Sequence, residues 1–335
     1  MARPRSLHVA EVKRRLEQRL AEGLHRPGDK FPPAREIADR FGISYQTAHR
    51  VLAELESEGK LERRASAGTF IPGGKVFWDG AQLIFSERAR RADSFGSRLL
   101  DKLTRRLERD GVSFKISWDD DGKLRRNFIP VIWEAPVALE TCARTKRPAL
   151  LLNDRPRPGL SSAFIDAVSI DDFSGGAGAA ELLIQAAGFT DGLAIITGPE
   201  HDSRSRQRTD GFLSVAANVP VVCAGSWFFE DGYRVAPLAY AAGPNGVFCC
   251  NDRLADGFAS WCADRNLKPP PLVGFDDAPV AEKLNLTTMA IPWEEFVNGA
   301  ADLIKRRLNG DSGAAHQLIL TPRPVVRRAR SNSPA

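Results

Sequence analysis

The sequence predicts an α/β protein with a small helical N-terminal domain tipped by a hairpin. A two-lobed domain on parallel doubly wound sheets is expected to follow. Three observations predict this. The first 72 residues carry apolar stripes at helical spacing, punctuated by caps and turns. Beyond about residue 80, short apolar runs alternate with amphipathic stretches, the rhythm of parallel strands joined by helices. That rhythm continues for roughly 255 of the 335 residues, more than one sheet requires, so two lobes are expected around a cleft at the strands' carboxyl ends. The expected boundaries are a first domain at 1–72, a linker at 73–80 and a second domain at 81–335.

Composition narrows the class. With 43% hydrophobic and 27% charged residues the chain is ordinary globular material, which excludes a disordered or collagen-like protein. No apolar run approaches the ~18–20 residues that cross a bilayer. The start, Met1-Ala2-Arg3-Pro4-Arg5, lacks the apolar block of a secretory signal. The five cysteines (Cys142, Cys223, Cys249, Cys250 and Cys262) are odd in number and form no C-x-x-C pair. Free thiols in a reducing cytoplasm are therefore expected, with no disulfide frame, zinc site or membrane contact. Charge is uneven. Residues 1–72 hold 14 Lys and Arg against 10 Asp and Glu, nearly the whole formal surplus of +5, which suggests a polyanionic partner for that segment.

Val9, Val12, Leu16 and Leu20 form one stripe of a first helix, ended by Gly23, with a turn at Arg26-Pro27-Gly28-Asp29. A second helix starts near Pro33, buries Ile37, Ala38 and Phe41, and can close on Gly42 in the left-handed conformation. Ser44 is a good N-cap for a third helix running to about Gly59. On it Ala48, Val51, Leu52 and Leu55 share one side. Gln46 and Arg50 lie almost opposite, flanked by Tyr45, Thr47 and His49. Aliphatic anchoring behind and hydrogen-bonding groups at the N-terminal end are what a helix entering a DNA groove needs. Residues 60–71 then alternate as a short basic hairpin containing Arg63-Arg64 and Gly68-Thr69. A merely structural three-helix domain with a polar outer face is the alternative.

The run PGDKFPPAREIADRFGISYQTAHRVLAELESEGKLERRASAGTF resembles the winged helix-turn-helix of the GntR family of bacterial regulators, over roughly residues 7–72. The resemblance implies DNA contacts by Arg35, Gln46, Thr47, Arg50 and Gly68, with Ser44 capping the recognition helix and within reach of a phosphate. Tyr45 and His49 stand where the family usually has arginine, and Ser66 where the wing usually has its first glycine. Arginine is the commonest bidentate reader of guanine, so a typical family operator is not implied.

In the second domain, strands are expected at Leu83 to Phe85, Phe114 to Trp118, Val131 to Trp133, Ala149 to Leu152, Leu193 to Thr197, Val221-Val222, Gly246 to Cys250 and Leu272 to Phe275. Helices are expected at Phe95 to Arg109, near Leu139, and at Gly176 to Ala187, Arg208 to Ala217 and Leu254 to Arg265. Three clusters resemble the effector domain of the LacI/GalR family, akin to periplasmic sugar-binding proteins. They are Arg208-Thr209-Asp210-Gly211-Phe212, Phe248-Cys249-Cys250-Asn251-Asp252, and Val273-Gly274-Phe275-Asp276-Asp277 with Leu286-Thr287-Thr288 and Ile291-Pro292 after it. The resemblance covers roughly residues 81–330 and implies an effector site. Arg208, Asn251 and Asp276 would bond sugar hydroxyls, and Trp227 would line the pocket. Ser86, Glu87 and Phe95 are the guesses for the first lobe's share. Arg208 on a helix surface, Asp276-Asp277 as a turn cap and Trp227 as core are the plainer alternatives. Ile291 replaces a glutamine common in the family. A GntR-type module stands where that family has its own N-terminal helix-turn-helix and hinge helix, a fusion similar to arabinose-responsive repressors.

Enzyme motifs are weak. Ser174-Gly175-Gly176-Ala177-Gly178 looks like a dinucleotide loop, but Glu181 occupies the place of its last small residue, and a helix N-terminus suits it better. His8, His25, His49, His201 and His316 are scattered, without an i, i+4 metal pair. The expectation is a cytoplasmic, homodimeric, sugar-responsive repressor of double-stranded operator DNA, with no cofactor, no metal and no enzymatic activity. A ligand in the interlobe cleft would change its operator affinity. The alternatives are a cytoplasmic sugar-binding or sugar-processing protein, or an activator with a non-sugar effector.

Overall fold

The computed structural model describes residues 4–22, 25, 28–64, 68–72, 78–118, 120–156, 162–188, 190–311 and 313–327. Gly23, Arg26, Pro27, Ser66 and the linker residues 73–77, on which sequence expectations rested, lie outside them.

The N-terminal domain consists of α1 (Pro4–Ala21), α2 (Ala34–Phe41), α3 (Tyr45–Ser57) and an antiparallel hairpin, β1 (Glu62–Arg64) and β2 (Gly68–Phe70). Its core is the set of stripes read from the sequence. Val12, Leu16, Ile37, Ala38, Ala48, Val51, Leu52 and Leu55 are buried together with Phe31 and Leu61. Gly42 closes α2 at φ 63°, its N–H bonded to the Ala38 carbonyl, and the Ser44 side chain accepts from the Thr47 N–H. One detail differs from expectation. Pro33 is the extended N-cap of α2 rather than its first helical residue. Of the turn expected at 26–29, Gly28 and Asp29 are described, Gly28 in a turn, and the chain then runs along the wing: Gly28 and Phe31 donate to the carbonyls of Ile71 and Thr69, and Lys30 bridges Phe70.

Beyond the hairpin come β3 (Gly80–Phe85), α4 (Phe95–Arg109), β4 (Phe114–Ser117), β5 (Phe128–Trp133), α5 (Pro136–Thr145), β6 (Ala149–Leu152) and β7 (Ile165–Ile170). Then follow α6 (Asp172–Ala187), β8 (Leu193–Thr197), α7 (Ser203–Val215), β9 (Val221–Cys223), α8 (Phe229–Ala241), β10 (Gly246–Cys249) and α9 (Asp252–Ala263). The chain ends with β11 (Leu272–Asp276), α10 (Pro279–Lys283), β12 (Thr287–Ala290), α11 (Trp293–Leu308), β13 (Gln317–Leu320) and β14 (Arg323–Val325). Two six-stranded sheets result, ordered β4-β3-β5-β6-β7-β13 and β9-β8-β10-β11-β12-β14. The pairings from β4 to β6 and from β9 to β12 are parallel, and β14 closes the second sheet antiparallel. Both sheets therefore start in the doubly wound order in which the second strand lies outside the first and the third lies inside it.

The chain forms two compact units: Met1–Glu87 with Thr104–Ala167 and Ala300–Gln317, and Arg88–Leu103 with Val168–Gly299 and Leu318–Ala335. In the first, Ile84, Ile132, Leu151 and Ile165 pack with Ala138, Leu139 and Cys142 of α5. In the second, β8 and β10 are buried along their length, and Phe212 stacks on Phe248 at 5.1 Å. Strand β7 escaped the sequence reading because Asp166 and Ser169 interrupt its apolar run. Asp166 is fully buried, its carboxylate gripped by Arg307 at 2.7 and 3.0 Å, and such a pair can occupy a core that an isolated charge could not.

Helix α6 begins four residues before the expected Gly176, capped by Asp171, which accepts from the Ser174 N–H and hydroxyl. Its glycines explain the resemblance to a nucleotide loop: they serve close helix packing. A Cβ on Gly176 would stand 2.1 Å from the Arg208 carbonyl oxygen, and one on Gly211 of α7 would stand 2.0 Å from that of Phe173. Helices α8 and α9 meet in the same way, through Gly232 and Gly257. Gly176→Ala should therefore force α6 and α7 apart and cost ~1–3 kcal/mol in denaturant unfolding. An unchanged midpoint would refute the tight contact.

Candidate DNA-reading face and candidate ligand cluster

Helix α3 is pinned by four residues that are 0–2% exposed, Ala48, Val51, Leu52 and Leu55. That burial leaves Tyr45, Gln46, His49 and Arg50 exposed on the outer side, with Thr47 half-buried. Ser44 serves as cap, its hydroxyl 2.8 Å from that of Thr47. Arg35 is exposed in the first turn of α2. Gly68, exposed at φ 116°, begins the returning wing strand. The fold thus presents every residue implied by the GntR resemblance at the surface of one small domain.

Two contacts on this face were not anticipated. Arg63 of β1 brings its Nη1 to 3.2 Å from His49 Nε2, so the wing supplies a guanidinium beside the position where the recognition helix itself lacks one. Lys30 is exposed beside the wing, its Cε 3.1 Å from where a Cβ on Gly68 would stand. The run of residues 28–31 along the hairpin, which places Lys30 there, has no periodic signature in sequence.

In the second unit, Arg208, Asn251, Asp276 and Trp227 come together at the carboxyl edge of the β8-β10-β11 sheet. Arg208 is not a surface residue: it is 3% exposed. Its Nε donates to Asp172 at 2.7 Å, and its Nη1 donates to the Cys250 carbonyl at 2.6 Å and to Asp276 at 3.2 Å. The guanidinium lies 3.6 Å from the Phe275 ring centroid and 5.5 Å from that of Trp227. Burial works against its charge, but the carboxylates of Asp172 and Asp276 more than offset that and hold it cationic. Asn251 caps α9 by accepting from the Leu254 N–H at 2.8 Å, and donates to the Trp227 carbonyl at 2.9 Å. Trp227 packs on Gly198, and its Nε1 donates to Asp202 at 2.8 Å. Burial raises the Asp202 carboxyl, yet hydrogen bonds from Arg204 and Trp227 bring it well below the usual range. Asp276 and Asp277 adopt φ 101° and 49°, a region non-glycine residues avoid, at the end of β11.

Asp172, Asp202 and Phe275 were missed. The doubled Asp171-Asp172 before a glycine run was the available signal, since the first caps α6 and leaves the second to turn inward. The guesses for the first lobe fare differently. Phe95 packs against Trp293 at 4.8 Å and Phe296 at 6.3 Å, and its link to Asp277 runs through Arg98, which sits over Trp293 and donates to the Asp277 carbonyl. Ser86 and Glu87 belong to the other unit.

Asp252, next to Asn251, is 0% exposed and accepts from the Ala278 N–H and the Thr288 hydroxyl, both at 2.6 Å. Burial, aided by the Asp276 charge, pushes its carboxyl up to about 8 despite those two bonds. Among the described residues, no group of three or more His, Cys, Asp or Glu stands ready to hold a metal ion.

The comparisons fall where this geometry points. Residues 8–71 match the model of bacterial regulatory proteins of the gntR family, and residues 184–329 match a periplasmic binding protein-like domain. The chain is 34% identical to a lactose operon repressor of Rhizobium radiobacter over 113 residues, which is 32% of this chain and 98% of that one. It is 29% identical to the HTH-type transcriptional repressor PurR of Histophilus somni over 178 residues, 49% of this chain and 53% of that one. It is 34% identical to a histidine utilization repressor of Klebsiella aerogenes over 83 residues, 25% of this chain and 33% of that one. The chain thus spans only a third to a half of these last two relatives. Among solved structures, a regulator CelR–cellobiose complex aligns with a TM-score of 0.65 at 18% identity, covering 89% of this chain and 99% of that one. A LacI family regulator of Enterococcus faecium with bound ribose aligns at 0.61 and 21%, covering 73% and 97%. The fold is that of a helix-turn-helix domain joined to two parallel-sheet α/β lobes of the periplasmic-binding-protein kind. The chain belongs to the family of the lactose operon repressor, with a gntR-type reading domain at its N-terminus. Among the described residues no helix is long and apolar enough to cross a membrane.

Asp252 generates a prediction. Its carboxyl is raised from an ordinary 3.8 to about 8, so the folded state binds a proton that the unfolded state releases. Its contribution to stability is complete below about pH 4 and is lost as pH rises through about 8. Asp252→Asn can keep both bonds, with Nδ2 donating to Thr288, and should flatten this fall, whose slope is at most about 1.4 kcal/mol per pH unit. Parallel denaturation curves for wild type and variant between pH 5 and 8 would contradict it.

Proposed function

We propose that this chain is a ligand-responsive transcription regulator, a repressor that binds double-stranded operator DNA through α3 and the wing and binds a small effector, a sugar, in its C-terminal domain. The observation that carries the reading is the two-sidedness of α3: four aliphatics fully buried behind, and Tyr45, Gln46, His49 and Arg50 exposed in front, beside a basic wing. Residues 1–72 are the reader, 73–80 the linker, and 81–335 the effector-binding and dimerising part. The repressor names of the relatives support the function, and the cellobiose and ribose bound to the structural neighbours support a sugar. The Arg208 cluster is suited to the task, since it offers charged hydrogen-bonding groups beside the flat face of Trp227. Two chains pair so that two recognition helices meet half-sites related by a twofold axis, and the protein works in the cytoplasm.

Arg35, Arg50, Lys30 and the wing meet phosphates and base edges, with Gln46 and Thr47 reading bases, Tyr45 and His49 at the groove, and Ser44 and Gly68 against the backbone. Arg208, Asn251, Asp276 and Trp227 hold the effector, with Phe95 supporting the same unit from α4. The effector must favour one state: a coupling of ~1–3 kcal/mol changes operator affinity ~5–150-fold.

Fluorescence anisotropy with duplexes from the neighbouring promoter tests this, and affinity should fall steeply as salt rises. Arg50→Ala should cost ~1–3 kcal/mol of operator binding if the side chain reads a base; equal affinity would remove it from the interface. Asp276→Ala should bind operator normally yet ignore effector. A variant still released at the same sugar concentration would remove Asp276 from the ligand site.

A further inference from the structure

Arg253 follows Asn251 and Asp252 on the first turn of α9, and it faces a cavity of about 270 Å³ that lies wholly within the second unit. For scale, an engineered cavity of about 150 Å³ takes benzene. One wall is apolar, formed by Phe228, Phe229, Ala278, Pro279 and Val280. Two guanidiniums lie over the Phe228 ring: Arg91 at 3.7 Å and Arg253 at 5.0 Å from its centroid.

The charged groups around the cavity are unequally satisfied. Arg91 is bound to both carboxylate oxygens of Glu230, at 2.5 and 2.7 Å. Lys283 stands near Asp256, whose carboxyl burial pushes up and the Lys283 charge draws back down. Arg253 is different. Its Nη1 is shut off from solvent and has no hydrogen-bond partner. Burial lowers its affinity for its proton, the Asp276 charge raises it again, and Arg88, Arg91 and Arg98 oppose it. A buried donor without an acceptor is costly unless something else supplies the acceptor. Asp93, in the left-handed region at φ 56°, adds an exposed carboxylate to the rim, able to accept from hydroxyls.

We propose that this cavity extends the effector site and takes a small acidic polyol, a sugar carrying a phosphate or carboxylate group, whose oxyanion is bound by Arg253. Phe229 and Val280 of the apolar wall meet the ligand's C–H surface, and Asp93 accepts from its hydroxyls. A neutral sugar's hydroxyl can accept from Nη1, but it leaves the guanidinium charge uncompensated. An oxyanion supplies the charge-assisted bond that the protein withholds. The assignment rests on reading the C-terminal domain as effector-binding.

The test is calorimetric titration of the full chain with ribose 5-phosphate, glucose 6-phosphate, ribonate and gluconate, each beside its neutral parent, and with inorganic phosphate alone. At least one acidic sugar should bind more tightly than its parent, and Arg253→Met should weaken that binding at least about tenfold and the parent's by clearly less. The variant should melt no lower than wild type, because it removes a buried donor that has no acceptor. A preference for the phosphates or for the aldonates identifies the oxyanion, and either supports the proposal. It is overturned if parents and acids bind alike, if none binds, if inorganic phosphate binds as tightly as the best sugar, or if Arg253→Met keeps full affinity for the acid. Neutral sugars that release DNA while acidic ones fail to bind would overturn the acidic assignment and leave the regulator intact. An acidic sugar held through Arg253 without any effect on DNA affinity would support the site and count against the regulator.

Discussion

A guanidinium with almost no access to water must be satisfied by protein, and the candidate ligand cluster is organised around that demand. Arg208 reaches from α7 to Asp172 at the start of α6, to the carbonyl that follows β10 and to Asp276 at the end of β11. The bond to Asp172 spans α7 and α6, which approach backbone to backbone as Gly176 and Gly211 permit. The unusual φ values at Asp276 and Asp277 belong to the same arrangement: β11 must turn sharply for one carboxylate to face the cation. Glycines, strained turn and ion cluster are one construction at the carboxyl edge of a doubly wound sheet, where that fold offers its ligand site.

A cluster already satisfied internally bears on how a ligand would act. Arg208 and Asp276 neutralise each other, so a hydroxyl bonded to either competes with an existing bond and gains only the difference. A response therefore depends on groups whose bonding changes more between the states, since only differential interaction shifts an equilibrium. Arg253, with an orphaned donor, has more to gain from an acceptor than Arg208 does. Asp252, held as a neutral acid beside Asp276, shows how little further negative charge the interior tolerates.

Much of this was legible in the sequence, for reasons that separate the parts. The three N-terminal helices were readable because their apolar residues recur at helical spacing and their ends carry Gly42 and Ser44, each of which did in the structure what its chemistry favours. Strands such as β8 and β10 stood out as short continuous apolar runs. What stayed hidden was set by tertiary partners. Strand β7 is disguised by Asp166, tolerable there only because Arg307, distant in sequence, meets it. The start of α6 is disguised by glycines whose function is contact with another helix. In the candidate site, Arg208, Asn251, Asp276 and Trp227 were proposed through the resemblance, and the structure brings them together. Arg253 needed coordinates, because the lack of a partner for a buried donor is not written in local pattern.

The reading face carries a related lesson about substitution within a family. Tyr45 and His49 occupy positions where related domains usually carry arginine, which by itself would suggest a weaker grip on guanine. The structure returns one guanidinium by another route, since Arg63 of the wing stands against the His49 ring. That contact joins the recognition helix to the hairpin, so that wing and helix present a joint surface. Phosphate attraction survives such a relocation, because it depends on the number and nearness of charges. Base discrimination does not, because a fork must meet two acceptors in one plane. On the proposed reading, then, Gln46 and Arg50 carry most of the sequence preference, while Arg35, Lys30 and Arg63 supply affinity that salt can screen.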